Sequence, residues 1–156
     1  MAQLFPLDHC QLKSLELTDT TVVVTLMRTV TTGCCPHCQQ ASARIHSRYV
    51  RTIADLPWAT YQVCFRLQVR RFVCSSGACP QRIFAERCGT MLPRSARRTT
   101  RLTDQVRLLA FATTGQGAAR LAHQMAMPIS PRTILRIQHA TPDPPLPVPE
   151  QVGIDD

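Results

Sequence analysis

Two short cysteine pairs constrain this chain more than any other feature. "CPHC" places two residues between Cys35 and Cys38, and "CSSGAC" places four between Cys74 and Cys79, with 35 residues separating the pairs. A tetrahedral zinc ion takes thiolate ligands at ~2.3 Å, and a pair spaced by two to four residues wraps a tight turn around half of the ion. The fold must therefore bring two such turns to one point and return the intervening chain between them. A β-hairpin does this, which predicts a zinc-ribbon-like module with Zn2+ held by Cys35, Cys38, Cys74 and Cys79. Four thiolates fill the coordination sphere, so the ion organises structure and leaves no position for water or substrate.

Eight cysteines also raise the question of disulfides. "MAQLFPLDHCQLK" has no basic n-region and no long apolar h-region, so secretion is not indicated. No apolar run approaches the ~20 residues that span a bilayer. A cytoplasmic chain with reduced thiols is expected, and metal accounts for the paired ones. Cys34, adjacent to Cys35, is read as a spare thiol. Cys10 and Cys64 have no close partner and are read as small core residues. Cys88 is read the same way, with exchange for Cys79 at the metal as the alternative. His37, inside the first knuckle, is expected to face solvent.

Hydrophobic periodicity divides the chain into an α+β arrangement. "LKSLELTDTTVVVTLMRTV" reads as a hairpin with Leu15 and Leu17 on its apolar face and a turn at Thr18-Asp19-Thr20. "SARIHSRYVRTI" reads as a strand ending in the turn "DLPW". In "YQVCFRLQVRRFVC", Tyr61, Val63, Phe65, Leu67, Val69 and Val73 share one face, and Gln62, Cys64, Arg66, Gln68 and Arg70 share the other. "QRIFAER" is a short return strand. Beyond Pro93 the period becomes helical, with Leu102, Val106, Leu109, Ala110 and Thr113 on one face and Gly115 as the stop. "GAARLAHQM" is a second helix with Leu121, Ala122 and Met125 inward, broken by Pro128. Ser130 and Pro131 then supply an N-cap and a first-turn proline for "RTILRIQHA". The expected units are an N-terminal β-hairpin over 1–32, a zinc-ribbon-like antiparallel β module over 33–93 and a helix-turn-helix over 94–140. A proline-rich linker and the start of a further strand, "VGIDD", fill 141–156.

The formal net charge is +8, and every Lys or Arg except Lys13 is arginine. Guanidinium groups suit bidentate contacts to phosphates and base edges, so a polyanionic partner is expected. On the last helix Ile134 and Ile137 face inward, which leaves Arg132, Thr133, Arg136 and His139 outward. In a DNA-binding helix-turn-helix that face enters the major groove. Arg94, Arg97, Arg98 and Arg101 ahead of the first helix, and Arg66, Arg70 and Arg71 on or beside the long strand, are candidates for phosphate neutralisation.

"CPHC", "RIHSRYVRTIADLPW", "LQVRRFVCSSGACPQRIFAER", "ARRTTRLTDQ" and "MPISPRTILRI" occur in an order that resembles the N-terminal half of a bacterial insertion-sequence transposase of the ISL-three type. The resemblance covers nearly the whole chain from about residue 10. It implies a zinc finger and helix-turn-helix that bind the element's terminal inverted repeats, followed by an RNase H-like DDE domain that cuts and joins DNA with two divalent ions. Asp155 in "GIDD" then matches the family's first catalytic Asp, with Asp156 as its neighbour. Gln39, where many such knuckles have glycine, and Cys88 depart from the pattern.

The expected function is zinc-stabilised DNA recognition in transposition, by a chain truncated where the catalytic domain would begin and therefore not itself an enzyme. A free-standing zinc-ribbon/helix-turn-helix transcription regulator and a zinc-ribbon protein-interaction module are the alternatives. The expected partners are double-stranded DNA and, through that resemblance, a second copy or a full-length transposase, with no membrane. The expected location is the bacterial cytoplasm, on the nucleoid.

Overall fold

Alternating apolar residues in two separate stretches, Val22-Val24-Leu26 and Val63-Phe65-Leu67-Val69, form the inner face of one sheet. The computed structural model describes residues 9–142. Its strands are β1 (Cys10–Leu17), β2 (Thr21–Arg28), β3 (Gly33–Cys34), β4 (Ala41–Ser42), β5 (Ile45–Trp58), β6 (Tyr61–Val73) and β7 (Ile83–Ala85). Its helices are α1 (Thr100–Ala112), α2 (Gly115–Gln124) and α3 (Pro131–His139). The main sheet runs β1-β2-β6-β5, with β7 on the far end of β6, and β3 and β4 form a separate small hairpin. The architecture is the α+β one expected. The linker prolines beyond Pro142, "VGIDD", Asp155 and Asp156 lie outside the described residues.

Several local expectations need correction. The N-terminal hairpin forms, but it does not stand apart over 1–32. Its β2 pairs in parallel with β6, Val22 opposite Val63 and Leu26 opposite Leu67, so hairpin and ribbon share one mixed sheet and one core. Leu15 and Leu17 lie opposite the core residues Val24 and Val22, yet β1 is an edge strand and both leucines stay exposed. "DLPW" is not a turn; β5 runs through it to Trp58, and the chain reverses at Ala59, whose φ is 53°. At the other end of β6 the buried residue is Phe72 rather than Val73. A second core on the opposite face of the sheet draws Phe72 to itself.

In the helical part Leu102, Val106, Ala110, Ala118, Ala122, Met127, Ile134 and Ile137 form a core closed from below by Ala54 and Leu56 of β5. The small side chains Ala118 and Ala122 let α2 approach closely. Leu121 and Met125, expected inward, are exposed. Each helix has a side-chain cap: Thr99 accepts from the N–H of Leu102, Thr114 from Gly117 and Ser130 from Thr133. Gly115 is therefore not the stop of the first helix but the first residue of the second. The turn between α2 and α3 lacks the usual glycine, and Ala126 takes the left-handed conformation instead, with φ 56°.

Two neighbouring residues of β5 weld this helical unit to the sheet. Ala54 of β5 exchanges backbone hydrogen bonds with the segment ahead of α1, donating to Arg97 O and accepting from Thr99 N. Beside them the buried Asp55 accepts from the Thr99 hydroxyl at 2.6 Å and from Arg101 Nε at 2.8 Å.

Candidate metal centre and basic surface

The cysteine pairs meet because two turns are stitched together. In the first, Cys35 N–H donates to Gln40 O and Gln39 N–H to Cys35 O, closing the knuckle beside the β3–β4 hairpin. In the second, Cys74 N–H donates to Arg82 O and Cys79 N–H to Ser76 O. The Ser42 hydroxyl donates to Val73 O at 2.6 Å, and Val73 N–H donates to Arg44 O at 2.8 Å, which ties one knuckle to the other.

The four sulfurs of Cys35, Cys38, Cys74 and Cys79 lie within 4.8 Å of one another. Cys35 and Cys79 are 3.9 Å apart, and Cys38 and Cys74 are 3.5 Å apart. Thiolates at ~2.3 Å from a tetrahedral zinc would be separated by about 3.8 Å, so the donor set fits that ion in both chemistry and size. The centre rests on Phe72 and Phe84, whose rings stack at 5.8 Å, and Ile45 packs beside them. A Cβ on Gly33 would come within 2.8 Å of the Phe72 ring, so glycine is required at that close approach. Burial opposes ionisation of Cys35, but the backbone N–H groups of Cys38 and His37 together with the Cys38 and Cys74 thiols outweigh it and lower the thiol to about 7. At Cys74 the backbone N–H of Ser76 favours the thiolate, while burial and the neighbouring sulfurs raise the pKa to about 12.

The remaining thiols stay outside this cluster. Cys34 is exposed, Cys10 and Cys64 are half-buried, and Cys88 is buried in the main sheet core, where it does not substitute for Cys79. His37 faces solvent, yet its Nδ1 comes within 3.8 Å of Cys79 Sγ at the rim of the site.

Gln39 sits in the left-handed region, with φ 62°. An L side chain pays about 1–2 kcal/mol there, partly offset for glycine by its larger unfolded-state entropy. Gln39→Gly is expected to be neutral or to stabilise the zinc-loaded protein by up to about 1 kcal/mol, read as a rise in Tm. A clear fall in Tm would show that the side-chain bond from Gln39 to Pro36 O matters more.

The arginines separate into distinct roles. Arg132 and Arg136 are exposed on α3 with His139, and Thr133 is half-buried at the first turn. Arg94 and Arg97 are exposed, Arg98 is half-buried, and Arg66 is half-exposed with a long 3.8 Å contact to Glu16. Two expected phosphate contacts are instead internal. Arg70 Nη2 lies 2.7 Å from the buried Glu86, whose Oε1 also accepts from Arg70 N–H, and Arg101 is held by Asp55. These two guanidiniums support the fold and leave the candidate DNA set. The structure adds Arg51 and Arg87, which line a cleft with Arg71 and Arg94 beside the first knuckle's Pro36. The basic character of Arg51 and Arg87 was visible in sequence, but their convergence with Arg71 needed the folded sheet.

A ribbon closed by four cysteines, joined through β5 to a capped three-helix unit, defines a zinc-ribbon module whose metal site is structural. Residues 31–79 match the family model described as the zinc-finger of transposase IS204/IS1001/IS1096/IS1165, so the ribbon is similar to that of these transposases. No curated protein and no solved structure matched the chain. No described helix is long and apolar enough to cross a membrane.

Proposed function

We propose that this chain is the zinc-stabilised DNA-binding portion of an insertion-sequence transposase and recognises the terminal inverted repeats of its element. The observation that carries the reading is the transposase zinc-finger match over residues 31–79, on a ribbon that shares β5 with a helical unit. The face of α3 opposite Ile134 and Ile137 supports it, with Arg132, Arg136 and His139 exposed after a Ser130 cap. In this reading α2 and α3 act as a helix-turn-helix, α3 enters the major groove with its first turn at base edges, and Arg94, Arg97 and Arg66 neutralise phosphates. The module binds DNA on the nucleoid.

The test is a gel shift of the zinc-loaded protein on duplexes carrying the ends of the element, at several salt concentrations. Specific binding to those ends, weakening as salt rises, is expected. Preference for promoter DNA would favour a transcription regulator. Absence of binding to any duplex would favour a protein-interaction ribbon and sink the proposal.

A further inference from the structure

A cleft of about 730 Å³ lies at the seam between the sheet and the helical unit. Thr21, Thr52 and Gln62 line it from the sheet, Arg97 and Arg98 from the segment ahead of α1, and Ser130 and Thr133 from the start of α3. Arg98 is its unusual member. The backbone on either side of Arg98 is fixed to β5 through Ala54, so the side chain leaves a rigid point. Its Nε is shut off from solvent and has no hydrogen-bond partner among the described residues.

A guanidinium in that position needs an anion. Burial first, and then the like charge of Arg136, lower the pKa of Arg98. Arg136 lies one turn along α3 from Thr133, on the same side of the helix. Asp55 also lines the cleft, but its oxygens are taken by Thr99 and Arg101. A half-buried cation with an unmet donor and a like-charged neighbour is destabilising by itself. A phosphate held between the pair relieves the charge penalty, through the charge-assisted contacts that guanidinium groups make with phosphate oxygens.

We infer that the seam is a phosphate site, in which Arg98 and Arg136 together hold one backbone phosphate of bound duplex DNA. The inference rests on the DNA-binding reading above and deepens it. A single phosphate shared between the sheet-anchored Arg98 and the helix-borne Arg136 fixes the angle of α3 against the DNA. Arg136 then positions the helix, and base readout falls to Arg132 in the first turn.

The experiment measures duplex affinity against salt for the zinc-loaded wild type, Arg98→Met, Arg136→Met and the double variant, with circular dichroism and zinc content as checks on folding. Each neutralised phosphate contributes a slope of about 0.9 in log affinity against log salt. Each single variant is expected to lose about one unit of slope, and the double variant no more than either single, because the two side chains share one phosphate. Arg98→Lys, which keeps the charge and much of the stem, is expected to recover most of the slope and guards against a packing defect in Arg98→Met. Unchanged slopes, or losses that add to about two units, overturn the inference.

Inorganic phosphate separates the two sources of the anion. A Tm rise with phosphate that Arg98→Met abolishes, with duplex slopes unchanged, makes a free anion the occupant and overturns the DNA assignment. A wild type that binds no duplex refutes the reading under Proposed function and the DNA assignment with it. In that case an Arg98-dependent phosphate effect still supports an anion site at the seam, and its absence overturns that as well.

Discussion

Removal of zinc, by a chelator or by Cys35→Ser, is expected to unfold the ribbon's metal lobe and leave the other two cores standing. Structural zinc sites contribute on the order of 10 kcal/mol at neutral pH, because the site does not exist in the unfolded chain. The buried hydrophobic residues of this lobe are Cys35, Cys79, Phe72 and Phe84. Without the ion only the two phenylalanines supply an apolar core. At about 1.5–3 kcal/mol each they fall well short of ordering two knuckles at about 1–2 kcal/mol per residue. The main sheet has its own core in Val24, Leu26, Phe65 and Leu67, and the helices have theirs in Leu102, Val106 and Ile134. Hydrogen exchange should therefore show protection lost around Gly33–Ser42 and Cys74–Ala85 and retained at β2 and α1. Metal analysis should find one zinc per folded wild-type chain. A folded sample without zinc, or knuckle protection that survives chelation, would show that the four sulfurs are not a metal site.

The same centre sets a pH dependence whose sign follows from the thiolates. The loaded state holds fewer protons than the empty one, so acid favours release of the metal. Cys74, at about 12 in the metal-free site, must shed a proton on binding across the neutral range. Cys35, at about 7, joins it only below neutrality. Apparent zinc affinity is expected to fall by about tenfold per pH unit for each proton displaced. The decline should therefore be steeper below pH 7 than above it, in a competition titration with a chromogenic chelator.

What could be read in the sequence was what local chemistry determines. The cysteine spacing identified the ligands because each pair closes its own turn, and the Ser130 cap follows from the same short-range logic. Long-range pairing was less legible. Alternation in Val22–Leu26 gives a strand and a buried face, but nothing in a period of two names β6 as its neighbour or makes the pair parallel. Phe72 escaped the pattern because the strand serves two cores on opposite faces, and periodicity assumes one. Arg70 and Arg101 looked free because their carboxylates, Glu86 and Asp55, lie 16 and 46 residues away. Asp55 itself was hidden in "DLPW", which has the composition of a turn. Ala59 and Ala126 show why: both take a positive φ where glycine would have announced the reversal.

Asp55 is the other position where a single change has a large expected effect. Its side chain is fully buried and receives Thr99 Oγ1 at 2.6 Å, Arg101 Nε at 2.8 Å and a second, shorter contact from Arg101 Nη2. Asp55→Ala leaves the Arg101 guanidinium and the Thr99 hydroxyl without their acceptor at the joint between β5 and α1. Removing one partner of a buried ion pair typically costs about 3–5 kcal/mol, and urea unfolding of the loaded protein should register a loss of that size. Asp55→Asn keeps an acceptor for Thr99 but removes the charge that Arg101 faces, and should fall between the two. A loss under about 1 kcal/mol for Asp55→Ala would mean that the joint is held by the Ala54 backbone bonds alone. DNA binding supplies an independent reading of the same variant. By charge alone, deleting a carboxylate from the lining of a basic cleft should tighten the hold on duplex DNA. If Asp55 instead serves to fix Thr99 and the adjacent Arg98 against the sheet, its loss loosens α3 and affinity falls. We expect the fall, measured on the fraction that remains folded, because a buried carboxylate already neutralised by Arg101 repels phosphate weakly, whereas the geometry it fixes reaches every contact made by α3.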